Sequence, residues 1–355
     1  MKLMHAAGII ACAAALMCAP LNQQASAQCL ADVNHDHSVD GTDLTVILST
    51  WGTKGGSAGG DINGDGTVNG LDLAFVLSGW GACPFQSWAT VLEWAPNPTV
   101  VTDANLRAAI VASGLAWRVR DNSSNIEMLF VPAGIFTMGC SASTEFVCYS
   151  NEAPTHQVTL TQGFYMGRYE VTQAQWTAKM GSNPSFFSGY TNSPSRPVEK
   201  VSWNMIASGS TSFMSLTGLR LPTEAEWEYA YRAGTTTAFH SYPAQPNGFN
   251  DDYTLLGNIA WFYPAAGSQT HAVGGKFANA LGLHDMSGNV WEWCQDWYEP
   301  YSSGSVTNPT GPATGSSRLL RGGFWNGNSY FCRASQRGNY TPALTVVGFR
   351  VVRTP

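Results

Sequence analysis

Two stretches of this chain repeat one arrangement of oxygen-bearing side chains. Asp32-Val-Asn-His-Asp-His-Ser-Val-Asp-Gly-Thr-Asp43 returns, 29 residues on, as Asp61-Ile-Asn-Gly-Asp-Gly-Thr-Val-Asn-Gly-Leu-Asp72. Asp32, Asn34, Asp36, Asp40 and Asp43 stand at positions 1, 3, 5, 9 and 12 of the first loop. Asp61, Asn63, Asp65, Asn69 and Asp72 do so in the second, and Ser38 and Thr67 at position 7 offer carbonyls. Oxygens alternating in this way let one short loop wrap a hard cation with about six or seven ligands, and calcium is the ion that accepts such a set. The charge distribution agrees. Between Gln28 and Cys83 stand seven Asp and one Lys, a local net charge of −6 that equals the formal net charge of all 355 residues. The remainder is balanced, and it has no basic clusters of the kind that nucleic acid binding requires.

Each loop runs into a helical stripe. Leu44, Ile47, Leu48 and Trp51 fall at i, i+3, i+4 and i+7, and Leu73, Val76, Leu77 and Trp80 repeat the pattern. Neither copy buries its apolar face alone, so the two stripes are expected to pack together. Position 12 is Asp where ordinary helix–loop–helix sites have Glu, and no helix enters either loop. Both features resemble the dockerin family, and residues 28–83 carry the resemblance. It implies a small all-α module holding two calcium ions and docking onto a cohesin-like or cell-surface protein partner. His37 replaces the glycine of the sharp turn at position 6, where Gly66 stands in the second loop, so the first site is expected to be the weaker. Gly41-Thr42 and Gly70-Leu71 lack the paired hydroxyls common in cellulosomal dockerins, which leaves the partner unnamed. His35 and His37 read as solvated loop residues.

Ahead of this module, Lys2, the apolar run Ala6 to Met17 and the small residues Ala25-Ser26-Ala27 read as a secretory signal over residues 1–27. No later stretch reaches the roughly 18 uninterrupted apolar residues of a membrane span. An exported protein is therefore expected, extracellular, periplasmic or at the cell surface. Removing the signal leaves Cys29, Cys83, Cys140, Cys148, Cys294 and Cys332. An even number in an oxidising compartment favours disulfides, although spacing does not fix their connectivity. The expected pairs are Cys29–Cys83, Cys140–Cys148 and Cys294–Cys332.

Residues 84–125 read as a linker with one short helix, Asp103 to Gly114, capped by Thr102 or Asp103. From Ile126 onward the chain is rich in Trp, Gly and Asn. Strands are expected at Phe130–Met138, His156–Leu160 and Phe164–Met166, and capping boxes at Thr172 and Thr223 open helices. Long irregular stretches between Ala233 and Gly288 need anchors, and metal or disulfides are the expected ones. Trp261, Phe262, Tyr263, Trp291, Trp293, Trp297 and Trp325 form the core or line a peptide or sugar groove.

Six motifs follow one another: Val131-Pro-Ala-Gly-Ile-Phe-Thr-Met-Gly139, Phe164-Tyr-Met-Gly-Arg-Tyr-Glu-Val171, Arg220-Leu-Pro-Thr-Glu-Ala-Glu-Trp-Glu-Tyr229, Gly288-Asn-Val-Trp-Glu-Trp293, Arg321-Gly-Gly323 and Gly348-Phe-Arg350. In that order they resemble the formylglycine-generating enzyme (sulfatase-modifying factor) superfamily over residues 126–355. The resemblance implies an α+β fold, related to C-type lectins, with little regular secondary structure and bound calcium. For calcium it implies Asp285, the carbonyls of Gly288 and Val290, and Glu292. A second family site begins at Asn258 and Ile259, but its other ligands fall in a stretch missing from this chain. The family enzyme oxidises a cysteine of a sulfatase to formylglycine with copper(I) held by two cysteines. Here Gly327 stands at the first. Counted forward from Gly323, Cys332 is the second, the catalytic position; counted back from Gly348, it is a structural cysteine. Soft copper(I) needs two thiolates, and one does not suffice. Positions of the family's paired cysteines hold Met214, Val351 and Tyr231, which leaves Cys294 as the partner for a structural Cys332. His156, His240, His271 and His284 show no metal-ligand spacing.

Two functions are thus expected to compete. One is a sulfatase-modifying oxidase. The other is a ligand- or protein-binding descendant of that fold, taking a peptide or glycan and tethered by the calcium loops.

Overall fold

The computed structural model describes residues 31–34, 38–53, 59–62, 66–82, 88–140, 145, 147–242, 247–249, 253–340 and 344–355. These residues form two compact units. One holds those up to Ala82 with Val111–Leu115, the other Trp88–Ile110 with Ala116–Pro355. Among the described residues no helix is long and apolar enough to cross a membrane.

The first unit contains β1 (Ser38–Val39), α1 (Gly41–Ser49), α2 (Gly70–Ser78) and β2 (Gly81–Ala82). β1 and β2 pair antiparallel, with Val39 opposite Gly81. Both helices start on loop residues. Asp40 and Asn69 are the N-caps, and Asp43 and Asp72, three residues on, return the bond as reciprocal capping boxes. The core of this unit is Ala31, Val39, Ile47, Val68 and Val76. Fully burying Ile47 and Val76 contributes about 1.5–3 kcal/mol each. Leu44 and Leu73 pack against this core as expected, whereas the outer residues of the two stripes depart from expectation. Leu48, Trp51, Leu77 and Trp80 remain about half-exposed. Each nine-residue helix makes about two and a half turns and stops before its tryptophan, so Trp51 and Trp80 lie beyond the helical face.

The second unit opens with β3 (Ala89–Glu93), α3 (Ala104–Ala112, its last two residues counted with the first unit), β4 (Arg118–Asp121), β5 (Glu127–Val131) and β6 (Gly134–Met138). It continues through β7 (His156–Leu160), β8 (Phe164–Gly167), α4 (Gln173–Met180), α5 (Trp203–Ala207), α6 (Phe213–Thr217) and α7 (Glu224–Arg232). After α8 (Tyr253–Ile259) come β9 (Ala260–Trp261), β10 (Ser287–Gly288), β11 (Trp291–Trp297) and β12 (Val306–Thr307). β13 (Arg318–Arg321), β14 (Gly338–Tyr340), β15 (Val347–Gly348) and β16 (Val352–Arg353) complete it. A five-stranded sheet runs in the order β16-β8-β5-β4-β3, a four-stranded one as β14-β13-β11-β15, and a three-stranded one as β12-β7-β6. β3 and β4 join that first sheet ahead of Ile126, where the motif-rich region begins. The single strand expected over Phe130–Met138 is two, in different sheets. Pro132 has no N–H to continue the ladder, so the chain leaves one sheet there and enters the next. The boxes at Thr172 and Thr223 cap α4 and α7 as expected, and Asp103 accepts the Leu106 amide at the start of α3.

Buried ion pairs anchor the irregular segments. Arg333 holds Glu145 at 2.8 Å and Glu152 at 2.7 Å, Arg337 holds Glu224 at 2.6 Å, and Arg321 holds Glu224 and Glu228. The side chains of these pairs are fully or almost fully buried. Such pairs join segments far apart in sequence, which makes them clasps for loops without regular hydrogen bonding. One expected disulfide also serves: Cys140 and Cys148 are bonded, with Cα atoms 5.6 Å apart. The expected Cys294–Cys332 bridge is not formed; both thiols are free and buried. The Cys29–Cys83 pair lies outside the described residues.

Candidate functional site

In the first unit the position-12 carboxylates fold each loop back onto its own start. Asp43 accepts the amides of Val33 (2.7 Å), Asn34 (3.1 Å) and Asp40 (2.9 Å), and Asp72 those of Ile62 and Asn69 (both 2.8 Å). The Thr42 hydroxyl and amide both donate to Asp40 and hold its carboxyl below the usual range. Asp61 Oδ2 accepts the Gly66 amide at 2.9 Å, whereas Asp61 Oδ1 is buried with no donor among the described residues. A buried oxygen without a partner costs about 1–3 kcal/mol. A cation at the loop centre removes that cost, so the residues present fit calcium. Asp32 is buried beside them. Asp36, Asn63 and Asp65 lie outside the described residues, as do His35 and His37. The Thr67 carbonyl accepts from Asn69 Nδ2, and Asn34 Nδ2 donates to Thr42 Oγ1.

In the second unit, Asp285, Gly288, Val290 and Glu292 lie on the turn and strands from Asp285 to β11, and all four are buried. Their side chains have different fates. Glu292 accepts two bonds from Arg350 and one from Trp227 Nε1 at 2.8 Å. Asp285 Oδ2 takes only the Gly274 amide, at 2.6 Å, and its Oδ1 is buried without a partner. Burial first, then the neighbouring Glu292, pushes the Asp285 carboxyl up to about 6 against the pull of the Gly274 amide and Arg350. Glu170 lies beside it, accepting from Asn289 Nδ2 and the Val290 amide. Its carboxyl is raised by burial and by the charges of Asp285 and Glu292. Sequence reading passed over Glu170 although it sits inside a quoted motif. Gly288 has a φ of +79°, and a Cβ there would meet the Trp261 carbonyl at 2.2 Å, so only glycine fits. Asn258 and Ile259 stand at the end of α8. The Asn258 amide donates to Tyr242 Oη, Ile259 is buried, and the Lys276 ammonium donates to the adjoining Gly257 carbonyl at 2.5 Å.

The sulfur positions give the opposite result. Cys332 ends a 3₁₀ turn (Ser329–Cys332) and is fully buried among Phe239, Tyr242, Phe249, Leu256 and Ile259. Burial pushes its thiol far above the usual range. Gly327, the other position, has its missing side chain's place filled by aromatic rings. A Cβ there would come within 2.7 Å of Phe324 and 3.0 Å of Phe331. Cys294 lies elsewhere, on β11, with its thiol raised by burial and by Asp296. Cys294 and Cys332 therefore sit in different surroundings, one among charges and one among hydrocarbons. Among the described residues the group that brings three metal-type ligands together is Cys140, Cys148 and Glu152, and its sulfurs are already bonded to each other. The histidines are engaged singly: His271 stacks on Trp261 at 3.7 Å, His284 tilts against Tyr169, and burial pushes the His240 imidazole pKa down to about 4.

Comparison with known proteins places this geometry. A sequence model of the sulfatase-modifying factor enzyme 1-like domain matches residues 115–355, and one of the dockerin type I domain matches residues 30–78. The formylglycine-generating enzyme of Streptomyces coelicolor is 35% identical over 191 residues, covering 51% of this chain and 58% of that protein. That of Mus musculus is 29% identical over 286 residues, covering 63% and 74%. The chain thus spans little more than half the length of the Streptomyces relative. Among solved structures, Treponema denticola variable protein 1 superposes with a TM-score of 0.56 at 31% identity, over 65% of this chain and 95% of that one. PvdO from Pseudomonas aeruginosa gives 0.55 at 28% identity, over 67% and 98%. The fold is that of the formylglycine-generating enzymes, with a dockerin module at the N-terminal end. The chain belongs to the sulfatase-modifying factor enzyme 1-like family.

Proposed function

We propose that this protein is exported and works as a binding protein whose large domain has given up copper oxidase chemistry. The observation that carries this reading is the aromatic filling at Gly327. A second thiolate there would have to displace Phe324 and Phe331, and Cys332 alone cannot hold copper(I) in two-sulfur coordination. Its burial points the same way, because a thiol sealed among hydrocarbons is neither ionised nor open to a protein substrate. These residues do not fit copper.

The calcium positions do fit their ion. Asp32, Asn34, Asp36, Asp40 and Asp43 would hold one calcium in the dockerin module, and Asp61, Asn63, Asp65, Thr67, Asn69 and Asp72 a second. In the large domain Asp285 would hold a third through its open oxygen, with the Gly288 and Val290 carbonyls. Calcium there neutralises buried carboxylates and fixes the turn. The module docks onto a cohesin-like protein of an extracellular assembly, as dockerin type I domains in general do, and the large domain presents its ligand site there.

The competing reading is a sulfatase-modifying oxidase, which the name of the Streptomyces relative favours. Incubating the protein with a Cys-x-Pro-x-Arg peptide, copper and oxygen, followed by mass spectrometry, separates the two. The peptide is expected to return unchanged; conversion to the aldehyde removes the binding-protein reading.

A further inference from the structure

The second unit contains a cavity of about 590 Å³, bounded by the lead-in around Thr99–Thr102, the end of α8 and the loop from Gly274 to Ala280. Its size falls within the roughly 300–1,000 Å³ typical of small-molecule sites. Arg168 and Lys276 line it, and among the described residues no Asp or Glu does. Both cations have bonding capacity left. Among the described residues only Nη1 of the Arg168 guanidinium reaches an acceptor, Glu127 at 3.5 Å, and Nε is buried with none. Lys276 gives one N–H to the Gly257 carbonyl and lies 3.9 Å from the centre of the Trp261 ring, which leaves two donors. In the same loop the amides of Gly275, Lys276 and Ala278 meet no acceptor among the described residues. A flat apolar wall accompanies this charge. Tyr242 and Phe277 stack at 5.4 Å with 13° between their planes, and Phe277 is half-exposed. His284 donates from Nδ1 to the Lys276 carbonyl, which leaves Nε2 for a hydroxyl partner.

We propose that this cavity binds a sugar acid, a pyranose ring bearing a carboxylate. The carboxylate takes Lys276 and Arg168, since charge-assisted bonds are the strong ones. The C–H face of the ring covers the exposed face of Phe277, which Tyr242 backs from the interior, withdrawing apolar surface from water. The hydroxyls meet His284 Nε2 and the Ser241 hydroxyl. A bare inorganic anion satisfies the cations but leaves the aromatic wall wet, and a neutral sugar leaves the cations unanswered. This inference deepens the binding-protein reading by naming the class of ligand.

The test is calorimetric titration of the full chain, calcium present, with D-glucuronate, D-glucose and inorganic phosphate. Saturable glucuronate binding is expected, with glucose weaker by at least about tenfold, the scale of one charge-assisted bond. Lys276→Gln and Phe277→Ala are each expected to weaken glucuronate by about tenfold with unchanged melting temperature. Arg168→Gln provides a second charge deletion should Lys276→Gln fail to fold. Absence of glucuronate binding, glucose binding equally well, or complete displacement of glucuronate by equimolar phosphate overturns the proposal. Peptide oxidation in the preceding assay removes the binding-protein reading and leaves this cavity untouched, whereas a failed titration alone removes only the sugar acid.

Discussion

Arg350 grips Glu292 through two bonds, Nε to Oε2 and Nη2 to Oε1, both 2.6 Å long and fully buried. The family resemblance gives Glu292 to calcium, yet both of its oxygens already carry a guanidinium. Beside it, Asp285 keeps an open oxygen. The pair therefore works as a clasp between β11 and the chain after β15, and under the proposed function Asp285, rather than Glu292, is the carboxylate left to take a cation.

Replacing Glu292 tests this division. Glu292→Gln leaves Arg350 buried and unpaired, a loss of about 3–5 kcal/mol. With each kcal/mol moving the midpoint of a domain this size by roughly 2–4 °C, a drop of about 10 °C is expected. Calorimetry with and without chelator reads it. A drop that vanishes when calcium is removed would return Glu292 to the metal.

Chelating calcium is expected to lower the helical circular dichroism arising from α1 and α2, because the capping carboxylates Asp43 and Asp72 belong to the same loops as the ligands. Asp61→Ala should weaken calcium binding by the second loop while leaving the first. An unchanged spectrum on chelation contradicts the tether.

Cys294 and Cys332 are expected to resist alkylation in the native protein and to react fully in guanidinium, as shown by peptide mass mapping. Rapid native labelling of Cys332 would reopen the catalytic reading of that residue.

A pH dependence follows from Asp296, whose carboxyl is raised to about 7 by burial, with Glu224 adding to it. Its folded-state value lies above the ordinary 3.8, so its contribution to stability is complete below about pH 4 and is lost as pH rises through about 7. Asp296→Asn, which retains an oxygen for the Glu224 amide, is therefore expected to gain on the wild type between pH 5 and 8. Melting temperatures at the two pH values check it, and a gap that does not widen refutes it.

Much of the local structure was legible because its causes are local. The spacing of oxygens in two loops, the boxes at Thr172 and Thr223, and the short reach of Cys140 to Cys148 each involve residues within about a dozen positions. Two readings of comparable range were nonetheless misjudged, because the pattern gave an element's faces but not where the element stops. The strand at Phe130–Met138 divides because Pro132 breaks one ladder just where a second sheet begins. The stripe residues Trp51 and Trp80 face outward because their helices end early.

The sequence by itself determined the two calcium-type loops, the family of the large domain and the shortage of thiols at the copper position. Only the tertiary structure decided how the remaining groups are used. It sealed Cys332 among hydrocarbons, assigned Glu292 to Arg350 and gathered Arg168, Lys276 and Phe277 around one cavity. Those outcomes depend on contacts between residues up to more than a hundred positions apart, and neither the type of a residue nor its neighbours in the chain records which distant partner it will meet.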